Sequence, residues 1–225
     1  MSSPRDVQKL RAWEPTTASL SHFSLSLRRL TVGLYRNDST QRLALHLWSV
    51  QYFHAPVAWS PVELELADEV GEGVALRDRA AGVEIIGEIS GLEEQAPDPA
   101  ATGRWGVPHY KVYNWGSLER NEQALHSRED PGPCLQRWKG GCAGLQYFSG
   151  WDRVARLRIG SLGQRRCLAV YCQEVTHLRI TPSWRQCHLE LDRVGSEEVF
   201  LRDSAAGIEI HAGRVTAEEE PYLWI

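Results

Sequence analysis

Cys142 sits in Lys139-Gly140-Gly141-Cys142-Ala143-Gly144, where small residues can expose a thiol and offer backbone N–H donors. His109 and His126 lie in the same stretch, so the ingredients of a Cys–His nucleophile are present. Such a centre needs the imidazole within hydrogen-bond reach of the thiol and a third group to orient it. Tight turns explain the same glycines, and a chain with 5 Cys and 8 His offers many chance pairings. Zinc requires four ligands at tetrahedral reach, usually in close pairs. Cys134 and Cys142 are too far apart in sequence for a C-x₂-C pair, as are Cys167 and Cys172, while Cys187 and His188 are adjacent. No metal and no cofactor is expected. The thiols match no disulfide framework, and reduced, mostly buried cysteines are the simplest reading.

A second set of reactive side chains recurs. Leu76-Arg77-Asp78-Arg79-Ala80-Ala81-Gly82-Val83-Glu84-Ile85 reappears as Leu201-Arg202-Asp203-Ser204-Ala205-Ala206-Gly207-Ile208-Glu209-Ile210, at a spacing of 125 positions. Glu65 and Glu190, Trp59 and Trp184 fall on the same spacing. Glu65, Arg77 and Glu84, with their mates Glu190, Arg202 and Glu209, could form duplicated carboxylate pairs. Acid–base work needs one carboxyl kept protonated, whereas an arginine between two carboxylates holds both ionised. Cross-strand ion pairing on an outer face is the better account. Asp78 and Asp203 lack the alternating oxygen ligands of a calcium loop. They fit a turn, with Asp bonding forward to backbone N–H groups and Gly82 or Gly207 taking positive φ.

The elements that must carry these residues follow from a period of two in the apolar positions. Leu30-Val32-Leu34, Leu43-Leu45-Leu47, Val62-Leu64-Leu66, Val74-Leu76 and Val83-Ile85 alternate with polar residues. So do Leu157-Ile159, Leu168-Val170-Cys172, Leu189-Leu191, Val199-Leu201 and Ile208-Ile210. About five short antiparallel strands per repeat are implied. The fold class expected is mainly β: two homologous antiparallel units joined by an aromatic-rich irregular insert with at most short helices. The boundaries are 1–95 for the first unit with its N-terminal segment, 96–147 for linker and insert, and 148–225 for the second unit. Short helices are possible over Val7–Trp13 and after Ser117. The two units are expected to pack about a pseudo-twofold axis, which would cover sheet edges.

Net charge −4 and a pI near 6.1 supply no basic footprint for nucleic acid. No apolar run reaches the roughly 20 residues of a membrane-spanning helix, and the N-terminus lacks a secretory pattern, so a cytoplasmic location is expected. The insert concentrates aromatic residues, among them Trp105, Tyr110, Tyr113, Trp115 and Trp138. Tryptophan and tyrosine dominate interface energetics, and these five are the expected binding surface. Acidic neighbours such as Glu93-Glu94, Glu129-Asp130 and Glu218-Glu219-Glu220 suit a basic partner.

Each repeat runs strand, polar turn, strand, an excursion containing proline or tryptophan, a Glu-rich strand, and a hairpin ending in Gly-Val/Ile-Glu-Ile. In the first this is Leu30-Thr31-Val32-Gly33-Leu34, Leu43 to Trp48, Pro56 to Trp59, Val62-Glu63-Leu64-Glu65-Leu66 and Gly82-Val83-Glu84-Ile85. That order resembles small β-rich bacterial immunity proteins of polymorphic toxin systems. The resemblance implies a protein that binds and neutralises a cognate toxin without chemistry of its own. A non-catalytic protein-binding module is therefore the expected function, with a protein partner and neither nucleic acid nor membrane. The alternatives are a carbohydrate-binding β-sandwich, in which the aromatics stack on sugar, and after it a Cys–His enzyme.

Overall fold

The computed structural model describes residues 4–36, 42–70, 73–95, 130–161, 165–194 and 198–221. Helix α1 (Pro4–Trp13) precedes β1 (Thr17–Ser24), β2 (Arg29–Tyr35), β3 (Arg42–Pro56), β4 (Ala58–Trp59), β5 (Glu65–Val70), β6 (Gly73–Asp78) and β7 (Val83–Gln95). Helix α2 (Pro131–Arg137) precedes β8 (Cys142–Ser149), β9 (Val154–Gly160), β10 (Arg166–Gln173), β11 (His177–Ile180) and β12 (Ser183–Trp184). Then follow β13 (Glu190–Val194), β14 (Glu198–Asp203), β15 (Ile208–Ala212) and β16 (Arg214–Pro221). Nearly every element has a counterpart at the 125-residue spacing, the long β3 and β7 corresponding to β10 with β11 and to β15 with β16.

The described strands are more numerous than the five per repeat that the periodicity suggests. In β1 the buried Ala18, Leu20 and Phe23 lose their alternation at a bulge between Leu20 and His22, which hides the strand from a period-two reading. Its counterpart β8 begins at Cys142 and so crosses the boundary expected at 148. Trp138, grouped by sequence with the insert aromatics, is instead the counterpart of Trp13. Both indoles are buried at the ends of equivalent helices, beside the buried Leu10 and Leu135.

All strand pairs are antiparallel and join one continuous sheet with two rows of ladders. The first row runs β7-β3-β2-β1-β8-β9-β10-β16, using residues 88–95 of β7 and 42–48 of β3. The second runs β5-β6-β7-β3-β11-β15-β14-β13, using residues 83–87 of β7 and 52–56 of β3. The strands change row where Ser49 and Glu174, matched positions, adopt left-handed φ of 49° and 55°. Arg28 and Arg153, also left-handed, accept there from Val50 (3.0 Å) and Val175 (2.8 Å) through their carbonyls.

The two halves meet at one seam in each row. In the first, β1 pairs β8 with Phe23 opposite Phe148, flanked by His22–Ser149 and Ser24–Tyr147. In the second, β3 pairs β11 with His54 opposite Arg179, flanked by Phe53–Ile180 and Ala55–Leu178. Each seam reads the same from either half, as a twofold axis requires. Gly150 closes the first seam by donating to the Ser21 carbonyl at 2.9 Å, and a methyl on it would overlap the Leu20 carbonyl. One apolar cluster draws on both rows and both halves, with Phe23, Phe53, Phe148, Leu145 and Ile85 fully buried.

Candidate functional site

The matched residues are mostly structural. Asp78 is fully buried and its carboxylate accepts from the Trp59 indole (3.2 Å), the Glu63 N–H (2.7 Å) and the Ala81 N–H (3.1 Å). Asp203 accepts from Trp184 (3.0 Å), His188 (2.7 Å) and Ala206 (3.1 Å) in the same arrangement. Both carboxylates close the turn, as the sequence suggests, and also hold the tryptophan and the connection that precedes β5 or β13. Gly82 and Gly207 both take φ +67° in that turn, where a side chain would be strained.

The register sets Arg77 between Glu65 and Glu84, and Arg202 between Glu190 and Glu209. The contacts are narrower than the register. Arg77 bonds Glu84 at 2.8 Å while Glu65 turns to Arg79 at 3.4 Å. Arg202 reaches Glu209 at 3.3 Å and Asp192 at 3.5 Å, and Glu190 turns to Lys139 at 3.7 Å. These pairs range from partly to well exposed and are worth ~0.2–1 kcal/mol each.

The unmatched residues are more informative, because the same scaffold is built without them at the mated position. Three histidines lie across the second-row seam: His54 on β3, His177 on β11 and His211 on β15. The His177 ring meets His54 at 4.7 Å and His211 at 5.0 Å between centroids, and His211 meets Phe200 edge-on at 4.2 Å. Their mates are Arg179, Tyr52 and Ile86. Burial, then the neighbouring imidazoles, push His177 down to about 4. Burial and then Arg179 lower His54 as well. His54 and His177 are thereby held neutral at neutral pH. No cluster of three or more His, Cys, Asp or Glu able to hold an ion occurs among the described residues.

A Thr-His-Glu chain, invisible in the sequence, lies on the outer side of the first row. Thr31 Oγ1 is 3.1 Å from His46 Nδ1, and His46 Nε2 is 3.3 Å from Glu93. Arg29 also bonds His46 Nδ1 at 3.1 Å. An imidazole nitrogen has one lone pair, so the guanidinium competes with the threonine for it. Burial and then Arg29 lower the His46 pKa, which makes it a weak base for Thr31. A part-buried polar brace centred on His46 is what this geometry supports.

Of the expected binding residues, Trp105, Tyr110, Tyr113 and Trp115 lie outside the described residues, as do His109, His126 and the helix expected after Ser117. Trp138 is buried and its indole donates to Glu219 at 3.3 Å, so it packs the interior. Cys142 is exposed, whereas Cys134, Cys167, Cys172 and Cys187 are buried. Burial pushes Cys172 up to about 12 and Cys187 to about 11, which leaves both without nucleophilic thiolate at neutral pH. The large apolar residues exposed among the described residues are elsewhere: Leu27 (58%), Trp48 (48%), Trp151 (43%) and Val194 (52%). Leu27 adjoins Arg28 in the chain, and the Arg28 carbonyl accepts from Val50, two residues after Trp48. The mates of Leu27 and Trp48 are the polar Asp152 and Gln173, and that of Trp151 is Ser26.

Comparison with models of known protein families, with curated proteins and with solved structures finds no match. No helix among the described residues is long and apolar enough to cross a membrane.

Proposed function

We propose that this chain is a non-catalytic recognition module for another protein, most concretely an immunity-type protein that binds and neutralises a cognate toxin in the cytoplasm. The observation that carries the reading is the exposure of Leu27 and Trp48 where the counterpart positions are Asp152 and Gln173. The fold does not require large apolar groups at those places, and exposing them costs solvation free energy. An indole presented to solvent beside aliphatic surface is the usual energetic centre of a protein interface. In this reading the chain consists of two homologous modules, and the equivalent Asp78 and Asp203 networks together with the symmetric seams support that descent. The scaffold is common to both modules, and the exposed Leu27 and Trp48 are particular to the first.

The test is affinity capture from the source organism's lysate with wild-type protein, Trp48→Ser and Trp115→Ala, followed by direct titration of the captured protein. A partner that binds wild type and loses about tenfold or more in affinity with either substitution supports recognition through that aromatic. Equal binding by all three proteins removes both surfaces from the reading.

A further inference from the structure

The two halves also differ in how the chain leaving the helix is bonded to the segment before β5 or β13. In the second half the chain leaving α2 is stitched to the segment before β13: Gly140 donates to the Cys187 carbonyl at 2.8 Å, and Cys187 donates to the Gly141 carbonyl at 2.8 Å. The Lys139 ammonium reaches Glu190 at 3.7 Å across the same junction. Cys187 and Leu189 are each 1% exposed beneath it.

In the first half that junction is open. Pro15 stands at the Gly140 position and has no N–H to give. Thr16, at the Gly141 position, sends its N–H to Tyr35 at 2.8 Å, and its carbonyl accepts from the Ser60 hydroxyl at 2.9 Å. Glu14 replaces Lys139, so two carboxylates, Glu14 and Glu65, stand where the second half has an ion pair. Val62 and Leu64, mates of Cys187 and Leu189, are only half-buried. A groove of about 300 Å³ results, with Leu10, Val62, Leu64 and Leu66 along it and Glu14, Glu63 and Glu65 at its rim. Glu65 is partly offset by Arg79, itself 80% exposed.

We propose that this groove is a binding site for an extended peptide segment of another protein that alternates apolar and basic residues. The second half supplies the template, for there the Gly140-Gly141 main chain, leaving the helix through a turn, pairs with Cys187 at the place equivalent to Val62. A guest strand would make the two missing main-chain bonds to Val62, the mode in which backbone pairing gives affinity and alternate side chains give specificity. Its apolar side chains would cover Val62 and Leu64. Its cations would meet Glu14, Glu63 and Glu65, as Lys139 meets Glu190. The site shares no residue with the Leu27–Trp48 surface and stands independently of it.

The experiment titrates fluorescein-labelled (Lys-Val)₅ into the full chain by anisotropy, with (Glu-Val)₅ and (Lys-Ser)₅ as controls. The expected result is saturable binding of (Lys-Val)₅ about tenfold or more tighter than either control. The double change Glu14→Lys with Pro15→Gly restores the donor and the ion pair of the second half. It is expected to weaken (Lys-Val)₅ binding about tenfold while the melting temperature holds or rises. Leu64→Glu serves as the second variant, with circular dichroism to confirm its fold and the same loss expected. Equal binding of the three peptides, or unchanged affinity in the closed double variant, overturns the proposal. So does a concentration-dependent dimer that Leu64→Glu abolishes, which would assign the groove to a second copy of the chain.

Discussion

At the scale of single residues, the buried aspartates and the seam histidines are the groups whose chemistry the fold exploits most. Removing the Asp78 carboxylate would leave one buried indole N–H and two backbone N–H groups without an acceptor. Asp78→Ala is expected to cost about 3–5 kcal/mol, and Asp203→Ala a similar amount, measured by urea unfolding. A loss under about 1 kcal/mol would mean that water replaces the carboxylate readily. The histidines make an acid-side prediction. His177 binds its proton only near pH 4 in the folded chain but at its ordinary 6.5 when unfolded. Between those values the unfolded state takes up more protons, so stability falls as pH is lowered. His54, lowered in the same sense, adds to the slope. Glu209, held below its ordinary 4.5 by the His211 hydrogen bond, acts mainly under pH 4.5 and leaves the window above it to the histidines. Replacing His177 by tyrosine, the residue of its mate Tyr52, is expected to recover about 1–2 kcal/mol at pH 4.5 relative to pH 7. Parallel pH curves for wild type and His177→Tyr would exclude this source.

At the scale of elements, the seams decide whether the halves hold together. Phe23 and Phe148 face each other across β1 and β8, both fully buried. Each change to alanine is expected to cost about 3–5 kcal/mol. The double variant should lose less than the sum, because directly opposed residues on paired strands belong to one apolar cluster; strict additivity in denaturation would contradict that coupling. Gly150→Ala should weaken the same seam without touching the core, since only the Leu20 carbonyl obstructs the added methyl closely. This is also where sequence legibility divides. Alternation in Leu30-Val32-Leu34 or Leu168-Val170-Cys172 marks a strand because one face is dry and the other wet. The β1 bulge and the left-handed Ser49 and Glu174 break that period, and the two-row path of β3 and β7 is consequently unreadable from pattern alone. The helix counterparts were readable in principle: Leu10 and Trp13 recur as Leu135 and Trp138 at the common spacing. The aromatic density of the surrounding segment masks that match. The groove could not be read at all, because it arises from hydrogen bonds absent at Pro15 and present at Gly140.

At the scale of the whole molecule, one apolar cluster and two ladders shared by the halves imply a single cooperative unit. Calorimetric unfolding is expected to give one transition with equal calorimetric and van't Hoff enthalpies. Two resolved transitions would show that the seams are weaker than the modules they join. The second-row seam carries one more implication. On a true dyad between separate identical subunits, the central position must face itself, histidine against histidine or one guanidinium against another. Here His54 faces Arg179, a pairing that strict symmetry forbids. Because both halves lie in one chain, the midpoint of this symmetric seam is free to differ on its two sides, and substitutions there can be asymmetric without creating a clash of like charges.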